Sequence, residues 1–256
     1  MTPFLVVIIC ALFGLLIGSF LNVCIYRLPQ NASVTWPASH CTACRRPLSW
    51  YENIPVLSWA VLGGRCRTCR APISAMYPLV ELTTAIVFAG GVMVYGLSAL
   101  LVVRLVFACA LIVLFAIDLR HRILPNVITL PGIAVGFVAS WFFPPGWVSS
   151  FFGILAGGGV LLGIAEAYSR IRGQEGLGMG DVKMLAMIGA FLGWPLMVLT
   201  LVIASFTGSI VGVGLMASGR GDMQAALPFG TFLAVGALVA AVAGDPILAW
   251  YLAFYP

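Results

Sequence analysis

Leu111-Ile112-Val113-Leu114-Phe115-Ala116-Ile117-Asp118 is an unbroken apolar run closed by a carboxylate. The apolar sequence begins upstream, near residue 98, and does not alternate. A run of about 20 such residues reads as a membrane-spanning helix rather than a barrel strand. Similar runs recur along the chain, at 3–26, 76–97, 98–117, 127–143, 148–168, 181–194, 195–216 and 227–254. Composition agrees: 62% of the 256 residues are hydrophobic and 8% charged, with a mean hydropathy of +1.10. Soluble domains hold about 45–50% apolar and about 25% charged residues. Thirteen basic and eight acidic side chains cannot cover a water-soluble surface for this chain, and disorder needs the opposite composition. The expected fold is an all-α polytopic membrane protein of about eight transmembrane helices.

Basic residues mark the cytoplasmic connections of such proteins. Arg27, Arg45, Arg46, Arg65, Arg67 and Arg70 fall in 27–75, Arg120 and Arg122 in 118–126, Arg170, Arg172 and Lys183 in 169–183, and Arg220 in 217–226. The alternate connections, near Tyr95-Gly96, Pro144-Pro145-Gly146 and Trp194-Pro195, hold none. Both termini are therefore expected outside and the 27–75 loop in the cytoplasm. The net charge of +5 is a topology signal on this reading and does not call for a nucleic-acid partner. No basic region precedes the first span and no small-residue cleavage site follows it, so it is expected to stay as an anchor. Arg104 is the exception, lying inside the third span. Snorkelling to the outer interface and a buried partner are both open to it. The chain divides into a first transmembrane helix (1–26), a loop domain (27–75) and a transmembrane domain (76–256). The pairs Gly14/Gly18, Gly159/Gly163, Gly189/Gly193 and Gly208/Gly212 have the small-xxx-small spacing of close helix packing.

Cys41-x-x-Cys44 and Cys66-x-x-Cys69 have the pattern of a tetrathiolate zinc site. Each pair sets two sulfurs on one side of a tight turn, and two pairs complete a tetrahedron. Disulfides are rare in the cytoplasm, and a loop this size has little core of its own. Structural Zn2+ is the expected occupant, with a disulfide or redox pair as the alternative. Cys10, Cys24 and Cys109 lie in apolar spans and read as small hydrophobes. His40 adjoins Cys41 and reads as a bystander.

The eight acids can be taken singly. Glu52 and Glu175 lie in polar connections and need no special role; Asp222 suits a turn, Asp245 the outer interface, and Glu166 an i, i+4 pair with Arg170. Asp118 is harder to place, because an acid at a helix C-terminus opposes the macrodipole. A cap or pair with Arg120 or Arg122 is its structural reading. Asp181 opens a span after Gly176-Leu177-Gly178-Met179-Gly180 and suits an N-cap. Both lie at the cytoplasmic edge of a span, hence at one depth. Two carboxyls sharing a low-dielectric site hold one proton between them, as an aspartic protease requires. With His40 and His121 the only histidines and no His-Glu-x-x-His, serine-triad and zinc-protease sets are lacking. Glu81, inside the second span, reads as a structural ion pair or as a site for a substrate amine.

Gly178-Met179-Gly180-Asp181-Val182-Lys183 resembles the Gly-x-Gly-Asp intramembrane aspartic proteases. Gly18-Ser19-Phe20-Leu21-Asn22-Val23, Arg27-Leu28-Pro29, the stretches 48–55, 73–82 and 118–126, and Leu227-Pro228-Phe229-Gly230 narrow the resemblance to the type IV prepilin peptidase family. These are bifunctional leader peptidases and N-methyltransferases. The resemblance implies Asp118 and Asp181 as the catalytic pair and Cys41, Cys44, Cys66 and Cys69 as zinc ligands. It implies a bacterial inner-membrane location, with membrane lipids around the helices. The implied substrates are prepilins or pseudopilins, cut on the cytoplasmic side after a short basic leader. The new N-terminus is then methylated with S-adenosylmethionine. No nucleotide-binding glycine loop points to residues for that donor. Oligomeric state is left open. Thr231 departs from the proline common at that position and is expected to matter little, being far from the proposed chemistry. A transporter, or a non-catalytic secretion scaffold, each with a zinc-stapled loop, are the alternative classes.

Overall fold

The computed structural model describes residues 3–172, 178–218 and 227–254. Among these residues the regular elements are helices: α1 (Pro3–Arg27), α2 (Leu57–Val61), α3 (Met76–Tyr95), α4 (Ala99–His121), α5 (Asn126–Ala139), α6 (Trp147–Arg172), α7 (Met179–Ala217) and α8 (Phe229–Leu252). Six of them, α1, α3, α4, α6, α7 and α8, are long and apolar enough to cross a membrane. Eight separate spans are not reproduced. The expected fourth span is the 14-residue α5. The expected sixth and seventh join in α7, which is interrupted at Gly193 with φ 77° and ψ 171°. Only glycine takes that conformation readily, and Pro195 withholds a helical N–H just beyond it. The Ser150 hydroxyl donates to Ala190 O at this break, 2.8 Å away.

The chain forms two compact units, 1–113 and 114–256, with α4 running through the division. In the first unit α1 packs along α3. A methyl group at Gly14 would lie 2.8 Å from Ala85 Cα, and one at Gly18 2.7 Å from Glu81 Cα, so both glycines set the close approach expected of them. The opposite side of α1 leaves Leu12 and Leu16 exposed, as a lipid-facing helix does. Arg104 is part-buried in α4.

In the second unit α7 is central, with α5, α6 and α8 packed on it. Its N-terminal half buries Met184, Leu185, Met187, Ile188 and Ala190 completely. Gly189 meets α6 backbone to backbone, but its partner is Gly153, and Gly157 lies against Leu185 O. Gly159 and Gly163, the expected packing pair, face open space. Spacing alone cannot say which side of an all-apolar helix meets a neighbour. Gly193 serves the break instead of a helix crossing, while Gly208 and Gly212 lie beside Phe232 and Leu227. The Glu166–Arg170 pair forms at 2.8 Å. Glu175, Arg220, Asp222 and the Arg172 side chain lie outside the described residues.

Candidate active site

Asp118 sits in the last turn of α4 and is 4% exposed. Its Oδ2 accepts two hydrogen bonds from one residue: the Thr231 backbone N–H at 2.7 Å and the Thr231 hydroxyl at 3.1 Å. Thr231 is the third residue of α8, after the N-cap Pro228. The first N–H groups of a helix have no partner within it and carry its positive end. Asp118 is thus a cap, but of α8 and not of its own helix end. The Arg122 charge acts on the carboxylate without a direct contact. This corrects the expectation that Thr231 matters little: 113 residues of sequence separate it from Asp118, and the fold removes that distance.

Asp181 is the third residue of α7, and Gly178 occupies the N-cap position expected for the aspartate. The carboxylate turns back on the Gly178 backbone, with Oδ2 3.4 Å from where a methyl group there would stand. It is part-exposed. Asp118 is near enough to act on it electrostatically. Leu124 joins the two helix starts. A methyl group at Gly180 would lie 2.9 Å from Leu124 Cβ, and one at Gly230 would lie 2.9 Å from Leu124 Cδ1 and 3.1 Å from Asp118 Oδ2. Both glycines let Leu124 pack close, and Gly230 does so directly beside Asp118. Lys183 donates to Asn126 Oδ1 at 2.9 Å, tying the start of α7 to α5.

In the first unit the Sγ atoms of Cys41, Cys44, Cys66 and Cys69 lie within 4.8 Å of one another, close enough to ligate one metal ion. His40 bonds to Ala38 O and stays out of the cluster. The two halves share one construction. Cys41 and Cys66 N–H donate to Arg46 O and Ala71 O, both at 2.9 Å, and Arg45 and Arg70 take left-handed φ of 58° and 59°. Behind this lies a repeat that was legible but missed, x-Cys-x-x-Cys-Arg-x-Pro at 40–47 and 65–72. The backbone N–H groups of Cys69 and Thr68 pull the Cys66 thiol down to about 6, the direction that suits a metal-bound thiolate.

Glu52 has a role that its polar setting hid. It is buried, pairs with Arg46 at 2.6 Å, and accepts the Ser49 N–H at 2.9 Å. The Arg46 guanidinium, and then the Ser49 backbone, hold its carboxyl below the usual range. Arg27 is buried and donates to Ser33 O and Pro37 O, at 2.9 and 2.6 Å, fixing the loop to the end of α1. Glu81 accepts the Val56 N–H at 2.7 Å and also meets Ser19 and Asn22. The expected ion pair at Glu81 is absent among the described residues. Trp36 and Trp50 are 76% and 79% exposed, whereas Trp59 turns inward and donates to Ile73 O.

The family model for the bacterial Peptidase A24 N-terminal domain matches residues 12–95, and that for the Type IV leader peptidase family matches 105–213. The chain is 37% identical to a prepilin leader peptidase/N-methyltransferase of Aeromonas hydrophila, over 98% of this chain and 95% of that one. It is 35% identical to the protein of that name from Pseudomonas putida, over 97% and 94%. With the one from Pseudomonas aeruginosa the figures are 33%, 98% and 95%. No solved structure matches the chain. Two family regions in the expected order, and relatives matched nearly end to end, lead to one conclusion: the chain belongs to the type IV leader peptidase family.

Proposed function

We propose that this protein cleaves the basic leader from type IV prepilins or pseudopilins, with Asp118 and Asp181 as its catalytic pair, and methylates the new N-terminus. The observation that carries the reading is the meeting of Asp118 and Asp181 beside Leu124, at the starts of α7 and α8, in a chain of this family. The transporter and scaffold alternatives draw no support from relatives named as peptidases and methyltransferases.

The chemistry follows from two carboxyls that share one proton. The ionised one takes a proton from water as the oxygen attacks the scissile carbonyl carbon. The protonated one gives its proton to the carbonyl oxygen. The tetrahedral diol collapses, the C–N bond breaks and the nitrogen leaves with a proton from the dyad, while a diol hydroxyl gives its proton back to the dyad and restores the singly protonated state. Gly180 and Gly230 let Leu124 and Asp118 approach the starts of α7 and α8 closely.

Cys41, Cys44, Cys66 and Cys69 fit zinc in number, chemistry and spacing. Four protein ligands close such a site, so the metal serves the fold of the loop. S-adenosylmethionine supplies the methyl group. Trp36 and Trp50 offer exposed aromatic surface suited to a sulfonium cation and an adenine ring. The loop is read as cytoplasmic and the termini as external on the distribution of Arg and Lys, and the membrane as the bacterial inner membrane on the family resemblance. The test is incubation of the purified protein with a prepilin and S-adenosylmethionine, read by mass spectrometry. Loss of the leader together with a gain of one methyl group supports the reading. An intact prepilin overturns it.

A further inference from the structure

We infer that Thr231 divides the labour between the two aspartates: it holds Asp118 as the ionised base and leaves Asp181 to carry the shared proton. This rests on the dyad reading above and deepens it. A backbone N–H can only donate, so the oxygen it points at is best left without a proton. Asp118 Oδ2 receives that N–H at 2.7 Å and the Thr231 hydroxyl at 3.1 Å. Hydrogen bonds to the charged form of a carboxyl favour that form, and the first turn of α8 adds the positive end of a helix.

The Thr231 donors act among few other charges. Among the described residues, the charged groups that act on Asp118 or are acted on by it are Asp181 from α7 and Arg122 from the chain just past α4. From α8 come Gly230 and Thr231 and from the connection Leu124, none of them titratable. Burial of Asp118 by itself opposes its charge, and the two Thr231 donors together with the start of α8 act against that penalty. Asp118 would then deprotonate the attacking water through Oδ1, its free oxygen, and Asp181 would protonate the carbonyl oxygen. Both donors belong to Thr231, where the resembled signature has proline. A prolyl nitrogen has no hydrogen and proline no hydroxyl, so this chain holds its aspartate in a way that the signature residue cannot.

The experiment is the pH dependence of kcat/KM for prepilin cleavage by the full-length protein, wild type against Thr231→Ser, Thr231→Val and Thr231→Pro. Serine keeps both donors, valine loses the hydroxyl, and proline loses both. Proline is tolerated in the first turn of a helix. The acid limb reports the pair giving up its first proton, and so registers whatever favours one ionised carboxylate there. Its expected move is about one pH unit upward for Thr231→Val and further for Thr231→Pro, from the strength of a hydrogen bond to a charged group. Thr231→Ser should keep the wild-type limb, which separates a positioning role from mere packing. Unmoved acid limbs in the valine and proline variants, movement confined to the alkaline limb, or a serine variant shifted as far as valine overturns the assignment. Should the proline variant fail to fold, the valine–serine comparison decides. Asp118→Asn runs beside them. If it still cleaves, the dyad reading itself fails; if it is silent while the limbs stay put, only the role of Thr231 falls.

Discussion

The Val56 backbone N–H donates to Glu81 Oε2 across 2.7 Å, joining the loop to α3 inside the first unit. Val56 holds a left-handed φ of 61°, rare for a β-branched residue. Glu81 is therefore a brace for a strained turn, with Ser19 and Asn22 of α1 on the same carboxylate. Glu81→Leu should strand the N–H, cost about 2 kcal/mol, and expose the 27–75 loop to protease. Glu81→Gln keeps an acceptor and should behave nearly as wild type. Equal protease resistance in wild type and the leucine variant would show that the bond carries nothing.

Asp118→Asn and Asp181→Asn should each lower prepilin cleavage by about a thousandfold or more, the upper range for losing an acid–base group. Membrane insertion should be kept, because amides at these positions still accept hydrogen bonds. The check is leader loss by mass spectrometry, with protein level in the membrane fraction measured alongside. Near-normal cleavage by either variant removes the dyad.

Purified protein should contain about one zinc per chain. Cys66→Ser should lose it and become protease-sensitive within 27–75, with the helices spared, since metal binding is folding energy in such a loop. Metal analysis without chelator, on protein with intact thiols, decides; an empty, protease-resistant loop contradicts the assignment.

Glu52 supplies a pH dependence. Its carboxyl lies below the ordinary range in the folded loop because Arg46 and the Ser49 N–H bind the anion. Such a group stabilises the loop above the unfolded value, about 4.3, and the contribution is lost as pH falls through the lower folded value. Loop protease resistance should therefore drop below about pH 4 in wild type, and Glu52→Gln should already be weakened at neutral pH. The acid-induced drop should then be smaller in the variant than in wild type. A drop of the same size in both would assign the acid sensitivity elsewhere.

Peptide hydrolysis needs paired acids, whereas methyl transfer needs a bound donor and a neutral amine. Asp118→Asn should still transfer a labelled methyl group to a pilin helix supplied already trimmed. Trp50→Ala, which removes an exposed loop face, should impair that transfer more than cleavage. Aspartate variants that fail on the trimmed substrate would show that the two activities are not separable.

Composition alone was enough for the membrane class, and the spacing of Cys41, Cys44, Cys66 and Cys69 for their meeting. Shared depth anticipated Asp118 and Asp181 in one unit, because depth is read along a helix axis. What lies around that axis was hidden. In helices apolar on all sides nothing marks Gly153 and Gly157 as the contact side and Gly159 and Gly163 as the free side. Thr231 was out of reach for the same reason, since a side chain's partner across the bundle leaves no local trace. The repeat at 40–47 and 65–72 did leave one, in Arg45, Pro47, Arg70 and Pro72.

Helix α5, with 14 residues, is about 21 Å long, against about 30 Å of hydrocarbon in a typical bilayer. The part of α7 before the Gly193 break is short as well. Lipid beside a short hydrophobic stretch thins to meet it. With α5 set in the bilayer facing lipid, the water boundary on that side of the second unit would be drawn inward, toward the starts of α7 and α8. A peptide bond at the edge of the bilayer then has less depth to cross before it meets the carboxylates. The acyl-chain length of the host membrane thereby becomes a variable of the reaction, with thin bilayers favouring turnover and thick ones opposing it.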